Sequence, residues 1–205
     1  DGPGDARIND IAFAIGNYGY VGTGQSKDDK QTKDFYRFDP TAASGSQWTI
    51  VNGFGGQKRT GGLSFIIDNV AYIVGGTNNG QDVTDFWKFD PSTESWTQLR
   101  DISDSSDEDY DDDYTITRTN GVAFVIDGAA YLTCGESGSL RSDTWKYYPA
   151  TDLWENVAKF KGTARTATAS FSSGEKGFVV SGKSGTTQFD DIWELHPNEY
   201  DDDEY

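Results

Sequence analysis

One residue pattern occurs four times along this chain, and its period limits the fold more than any other feature. An Arg opens each copy, at Arg7, Arg59, Arg118 and Arg165. Six residues on stands Phe13, Phe65, Phe124 or Phe171, and seven further Tyr20, Tyr72, Tyr131 or Phe178. A Gly follows four residues later, at Gly24, Gly76, Gly135 and Gly182. Then come an Asp and an aromatic two positions apart: Asp34 and Tyr36, Asp85 and Trp87, Asp143 and Trp145, Asp191 and Trp193. Each copy next reaches a Pro (Pro40, Pro91, Pro149, Pro197), and three add a Trp (Trp48, Trp96, Trp154). The Arg positions lie 52, 59 and 47 residues apart. A period near 50 built from short apolar runs is the signature of a propeller or array rather than of one compact core.

The second copy shows what each repeat folds into. Gly61 to Ile67 reads as a short strand, Asp68-Asn69 as a tight turn and Val70 to Val74 as a second strand, closed by Gly75-Gly76. Asp-Asn here, and Asp127-Gly128 in the third copy, suit two-residue hairpins because these residues tolerate positive φ. Asp85 to Asp90 alternates polar with apolar, as a half-buried strand does. Pro91 to Glu94 is a turn and Ser95 to Leu99 a fourth strand, so the repeat is an antiparallel meander of strands a, b, c and d. No segment carries a sustained helical period. Ala12, Ser64, Ala123 and Ser170 each lie five residues after their Arg, where converging strands leave room only for small side chains. The aromatic content of 14% is then explained by packing between neighbouring sheets, the role expected of the Trp residues.

This pattern resembles the kelch repeat family, over residues 7 to 197. The resemblance implies an all-β, kelch-type β-propeller, with 1–205 forming a propeller domain or part of one. Its four-stranded blades are expected at about 7–55, 56–104, 118–161 and 162–198, the last lacking its outer strand. The double-glycine position reads Thr23-Gly24, Gly75-Gly76, Cys134-Gly135 and Ser181-Gly182, so one copy is literal. The runs "DFWKFDP" and "DIWELHP" look most like kelch domains of secreted Bacteroidetes-type lipoproteins. That likeness implies an extracytoplasmic setting, at the cell surface as an outer-membrane lipoprotein or in the periplasm. Kelch domains commonly have six blades, so a larger closed ring with further repeats before Asp1 is the expectation.

The net charge of −17 has a local origin. An insertion at 104–114 holds seven acids within Asp104 to Asp113, and a tail at 198–205 adds Glu199, Asp201, Asp202, Asp203 and Glu204. Without these twelve, 22 acids face 17 bases. Acidity of this kind argues against nucleic-acid or anionic-membrane partners, which need basic patches. Like-charge blocks are usually solvated. Calcium is the one cofactor the insertion raises, through the spacing of Asp107, Asp109, Asp111 and Asp113, yet no Gly turn or bidentate Glu completes an EF-hand loop. Cys134 is the sole cysteine, a candidate packing thiol on strand b. No transmembrane stretch is present, so the chain is not expected to span a membrane itself.

In an antiparallel meander the d-to-a and b-to-c connections share one face. The b-to-c loops (25–33, 77–84, 136–142, 183–190) are long and polar, and loops on a rigid scaffold commonly carry function. The candidate ligand-binding residues Arg7, Arg59, Arg118 and Arg165 start the strands beside them. Two roles are open: guanidinium forks that receive an anionic group, as in kelch domains that bind acidic peptides, or anchors for loop carbonyls and a neighbouring blade's Asp. Catalytic residues are not identified. His196 is the only His, so neither a His-based metal centre nor a Ser/His/Asp triad can be assembled. The copper oxidases among kelch proteins need two His ligands and a Tyr–Cys link that this chain lacks. The leading expectation is a non-catalytic module that binds a protein partner, within an outer-membrane complex. The alternative is a glycan-binding or carbohydrate-active protein like a sialic-acid mutarotase, for which Glu136 is a candidate.

Overall fold

The structure, a computed structural model, describes residue 4, residues 6–103 and residues 115–196. The acidic insertion with its candidate calcium ligands, and the acidic tail, lie outside the described residues. Among the described residues every regular element is a strand, and no helix there is long and apolar enough to cross a membrane. The chain divides into two compact units, Asp1–Thr117 and Arg118–Tyr205, each carrying two blades.

In the first blade, strands a to d are Ile11–Ile15, Tyr18–Gly22, Phe35–Phe38 and Trp48–Val51, paired in chain order. The second blade repeats this with Leu63–Ile67, Val70–Val74, Trp87–Asp90 and Ser95–Gln98. The third has Val122–Ile126, Ala129–Thr133, Thr144–Tyr148 and Leu153–Val157. In the fourth, Ala169–Ser172, Gly177–Val180 and Ile192–Leu195 form three strands. All pairings are antiparallel. Asp68 and Asn69 have φ of 50° and 61°, and Asp127 and Gly128 of 49° and 75°. These are the positive values a two-residue hairpin of matching twist requires.

Strand a of the second blade starts at Leu63 rather than Gly61. Gly61 is at φ 65°, and the same site is left-handed in every copy, at Asn9, Asn120 and Ala167. The kink aims an amide at the preceding blade: Gly61 N–H donates to Asn9 O at 2.9 Å and Ala167 N–H to Asn120 O at 3.1 Å. Beyond it the small residues meet, with Ser64 Oγ on Ala12 O at 3.5 Å and Ser170 Oγ on Ala123 O at 3.1 Å.

Because side chains alternate along a strand, each sheet has two faces, and within each unit the front face of the first blade meets the back face of the second. In the first unit the front of blade one places Ile11, Ile15, Tyr20 and Phe35 against Ala71, Ile73 and Phe89 on the back of blade two. Each buried Ile or Phe among them contributes about 1.5–3 kcal/mol. Trp96 closes this core, 4.8 Å from Phe35 and 4.7 Å from Phe54 between ring centres. In the second unit Phe124 packs over Gly177, where a Cβ would fall 2.2 Å from its ring. Phe160 meets Trp193 edge-on at 5.8 Å. Trp87, Trp96 and Trp193 are thus interblade wedges, as expected. Trp48 and Trp154 meet Phe38 and Tyr147 of their own blades with tilted rings, 4.9 and 4.8 Å between centres.

Candidate functional site

The repeated Arg, Gly and Asp converge on one construction at the base of each b-to-c loop. Strand b ends in two consecutive left-handed residues: Thr23 and Gly24 (φ 60°, 88°), Gly75 and Gly76 (66°, 89°), Cys134 and Gly135 (59°, 83°), Ser181 and Gly182 (57°, 105°). Two such residues turn the carbonyl of the first sideways, onto the Arg sixteen positions earlier. Nη1 donates to Thr23 O at 3.0 Å from Arg7, to Gly75 O at 3.1 Å from Arg59, to Cys134 O at 3.1 Å from Arg118 and to Ser181 O at 3.0 Å from Arg165. Three copies without a literal double glycine therefore adopt the same backbone.

Each guanidinium also pairs with the repeat's own Asp, while Nε of Arg59 and Arg165 donates to Gln57 O and Thr163 O at 3.3 and 2.9 Å. Arg7 bonds Asp34 in a fork at 3.0 and 2.9 Å, Arg118 Nη2 donates to Asp143 Oδ2 at 2.8 Å and Arg165 Nη2 to Asp191 Oδ2 at 3.0 Å. Arg59 Nη2 pairs with Asp85 Oδ1. The carboxylate belongs to the same copy, not to a neighbouring blade, because strand c begins beside the end of strand b. The aromatic two residues on shares the carboxylate's strand face. Trp145 Nε1 donates to Asp143 at 2.6 Å and Trp193 Nε1 to Asp191 at 2.8 Å. In the second copy the backbone amide of Gln57 does this at 2.7 Å.

Burial and charge follow from this arrangement. The side chains of Arg59 and Arg118 are 0% exposed and that of Arg165 1%, while Arg7 keeps 9%. Burial pushes the Arg59 and Arg118 guanidiniums down, with Asp85 and Asp143 pulling back. The Arg165 hydrogen bond holds Asp191 down at about 2, against an ordinary 3.8. Burial pushes Asp34 up, but its bonds to Arg7 and Tyr36 leave it below the usual range. The four candidate arginines are therefore brought to equivalent places, each occupied by an aspartate and a carbonyl of its own repeat. A sequence signal for two further participants is visible afterwards: Phe54 and Phe160 each precede an Arg by five residues. Their rings lie under Arg59 and Arg165, 5.5 and 5.1 Å from the guanidinium carbon.

Above each anchor stands a short polar hairpin. Thr77–Asn78 pairs with Gln81–Asp82, Glu136–Ser137 with Ser139–Leu140 and Lys183–Ser184 with Thr187–Gln188. The residue after each Arg clamps the hairpin's first residue, in the bridges Thr60 to Thr77, Thr119 to Glu136 and Thr166 to Lys183. In the first copy Ile8 pairs with Gln25 in the same way. Asn79, Gln81, Ser139, Thr186 and Gln188 are exposed at or near the tips. Glu136 is half-buried, its Oε1 3.5 Å from Thr166 Oγ1. His196 lies beside Glu194 at 3.4 Å. Cys134 is enclosed, its thiol pushed up to about 11 by burial, so it is a packing group and not a nucleophile. Among the described residues no three His, Cys, Asp or Glu side chains gather to hold a metal.

Antiparallel meander blades with this repeated anchor are those of a kelch-repeat β-propeller. Residues 58–103 match the Kelch motif model. The chain is 27% identical over 99 residues to the N-acetylneuraminate epimerase of Vibrio vulnificus strain YJ016. That match takes in 45% of this chain and 24% of the epimerase, about a quarter of the relative's length. Among solved structures the fold is similar to that of YjhT, with a TM-score of 0.70 and 16% identity over 88% of this chain and 60% of that one.

Proposed function

We propose that this protein is a non-catalytic binding module that engages a protein partner through its b-to-c hairpins. One observation carries the reading: each hairpin stands on a saturated Arg–Asp–carbonyl anchor, which holds exposed amide and hydroxyl side chains on a rigid base. Preorganised polar groups lose little entropy on binding, and direct hydrogen bonds are the usual means of orienting a partner at a polar surface. In this reading the arginines are positioning residues that keep the hairpins in place. The setting proposed is extracytoplasmic, as part of an outer-membrane assembly, supported by the likeness of the strand c wording to surface lipoproteins. The test is a triple variant, Asn79→Ala, Gln81→Ala and Gln188→Ala, used beside the unmodified chain to recover partners from solubilised envelope. Loss of a recovered protein with an unchanged melting temperature supports the reading. Equal recovery by both forms overturns it.

A second reading is favoured by the likeness to the N-acetylneuraminate epimerase: the same hairpins would meet an acidic sugar. Titration calorimetry with N-acetylneuraminate, with proton NMR of its anomers, tests it. Heat of binding that the triple variant loses supports a sugar ligand, and faster anomer exchange would make the protein an enzyme. No heat at millimolar sugar removes this reading.

A further inference from the structure

Asn-Gly occurs three times in the chain, at Asn52-Gly53, Asn79-Gly80 and Asn120-Gly121. This step carries its own chemistry. Glycine has no Cβ to shield its amide, so the Gly nitrogen, once deprotonated, can attack Cγ of the preceding Asn side chain. A C–N bond forms and closes a five-membered succinimide, and the side-chain nitrogen leaves as ammonia. Water then opens the ring at either carbonyl, giving aspartate or isoaspartate with one more negative charge. No oxidant, reductant or second protein takes part. Closure does require the peptide plane between Asn and Gly to turn, and the three sites differ in whether it is free to do so.

Two of the planes are held. Asn120 O accepts from Ala167 N–H at 3.1 Å and from Thr166 Oγ1 at 3.3 Å. A Cβ on Gly135 would fall 2.7 Å from Gly121 N, so backbone encloses this nitrogen as well. Asn79 and Gly80 are exposed, yet they are the two turn residues of a hairpin whose pairing starts beside them, Asn78 with Gln81. Their φ values of 52° and 77° are the positive pair that such a turn requires, and turning the plane between them would unmake it.

Asn52-Gly53 has none of these restraints. Strand d of the first blade ends at Val51, and both residues are exposed and outside regular structure. Neither Asn52 O nor Gly53 N–H enters a hydrogen bond among the described residues. A Cβ on Gly53 would meet only a ring carbon of Trp96, at 3.7 Å, so the plane has room to turn. We propose that Asn52 is a site of spontaneous modification, the one Asn-Gly step the fold leaves reactive, which ages to aspartate and isoaspartate. Isoaspartate routes the main chain through the former side-chain carbon and lengthens the connection by one atom. Two residues on is Phe54, wedged against Phe35, Trp87 and Trp96 at 5.1, 5.6 and 4.7 Å and 5.5 Å from the Arg59 guanidinium carbon. The change therefore falls on the packing between the first two blades. It involves no hairpin residue, so its fate is independent of the proposed function.

The test incubates the chain in mildly alkaline buffer and follows all three steps by peptide mass spectrometry, as the gain of about 1 Da that exchanging amide for acid brings. A parallel sample in urea gives each step's rate without the fold. In the folded chain Asn52 should react at close to its rate in urea. Asn79 and Asn120 should react at least about ten-fold more slowly than in urea, because their planes turn only when the fold opens locally. Protection of Asn52 to the same degree, or reaction of Asn79 or Asn120 as fast as Asn52, would overturn the proposal. The aged chain should also melt at a lower temperature than a fresh one. Asn52→Gln, whose longer side chain closes its ring far more slowly, should keep its melting temperature through the same incubation. Aged and fresh chains that melt alike with Asn52 modified, or an equal loss in the Gln variant, would overturn the coupling to Phe54.

Discussion

The amide of Gly135 in the third repeat donates to the carbonyl of Arg165 in the fourth at 2.8 Å, and Gly24 makes the same bond to Arg59 O at 2.8 Å in the first unit. The repeated Arg thus serves two sheets. Its side chain gathers its own blade, while its backbone is hooked by the blade before. The Gly is needed on two grounds. Its φ of 83° is left-handed, and a Cβ would meet Gly121 N and Thr119 O at 2.7 Å.

Gly135→Ala should therefore be among the costlier small substitutions. A left-handed Ala costs about 1–2 kcal/mol, and displacing the backbone of residues 119–121 adds about 1–3 kcal/mol. Urea unfolding should lower stability by about 2–4 kcal/mol, against under 0.5 kcal/mol for Gly138→Ala corrected for its own φ, since Gly138 has nothing within 4 Å. Equal losses at both sites would remove the close-approach argument.

The Arg118–Asp143 pair makes a prediction of different form. Leaving one buried charge without its partner costs about 3–5 kcal/mol, whereas replacing both by apolar groups of similar volume is often near neutral. Arg118→Met and Asp143→Leu should each lower the unfolding free energy by about that amount, and the double variant by clearly less than the sum. An additive double-mutant cycle would show that the two do not act as a pair.

Much of this was legible in the chain. The Arg-to-Gly and Asp-x-aromatic intervals located strands a to c, and the small residues at Ala12, Ser64, Ala123 and Ser170 identified the strand that meets its neighbour. What was not legible was the direction of the guanidiniums. Spacing places Arg59 at the head of a strand beside polar loops, a position equally suited to solvent or to enclosure. Only the left-handed pair at Gly75-Gly76, which turns a carbonyl inward, decides for enclosure. Thr23-Gly24 and Ser181-Gly182 conceal that geometry, because Thr and Ser rarely adopt positive φ. Phe54 and Phe160 recur five residues before Arg59 and Arg165, but only in two of the four copies, and their place under the guanidinium shows only in the folded path.

Thr23 offers a stabilising change. It is β-branched at φ 60°, where such a residue is a genuine outlier, and its buried hydroxyl has no hydrogen-bond partner. Thr23→Gly restores the residue found at Gly75. It should raise stability by about 1 kcal/mol, a melting-temperature gain of about 2–4 °C for a chain of this size. A fall in melting temperature would mean that the Thr23 methyl contributes more by packing than the backbone loses by strain.

Acid should act first on the anchors whose carboxylates are held low. Asp191 sits at about 2 in the folded chain against an ordinary 3.8, and Asp34 is also lowered. For a depressed carboxylate the unfolded chain binds the proton more readily than the folded one. The stabilisation is therefore complete above about pH 4 and is lost as pH falls from there toward 2. Because Asp191 is more than a third exposed, solvent screens its contribution, and the effect should be a slope rather than a collapse. Melting temperatures measured from pH 5 to pH 2.5 should fall more steeply for the unmodified chain than for Asp191→Asn, which cannot titrate there. Added salt should flatten the difference. Parallel profiles for the two proteins would show that the Arg165–Asp191 bond contributes nothing that depends on the carboxylate's charge, and that the anchor rests on the Ser181 carbonyl instead.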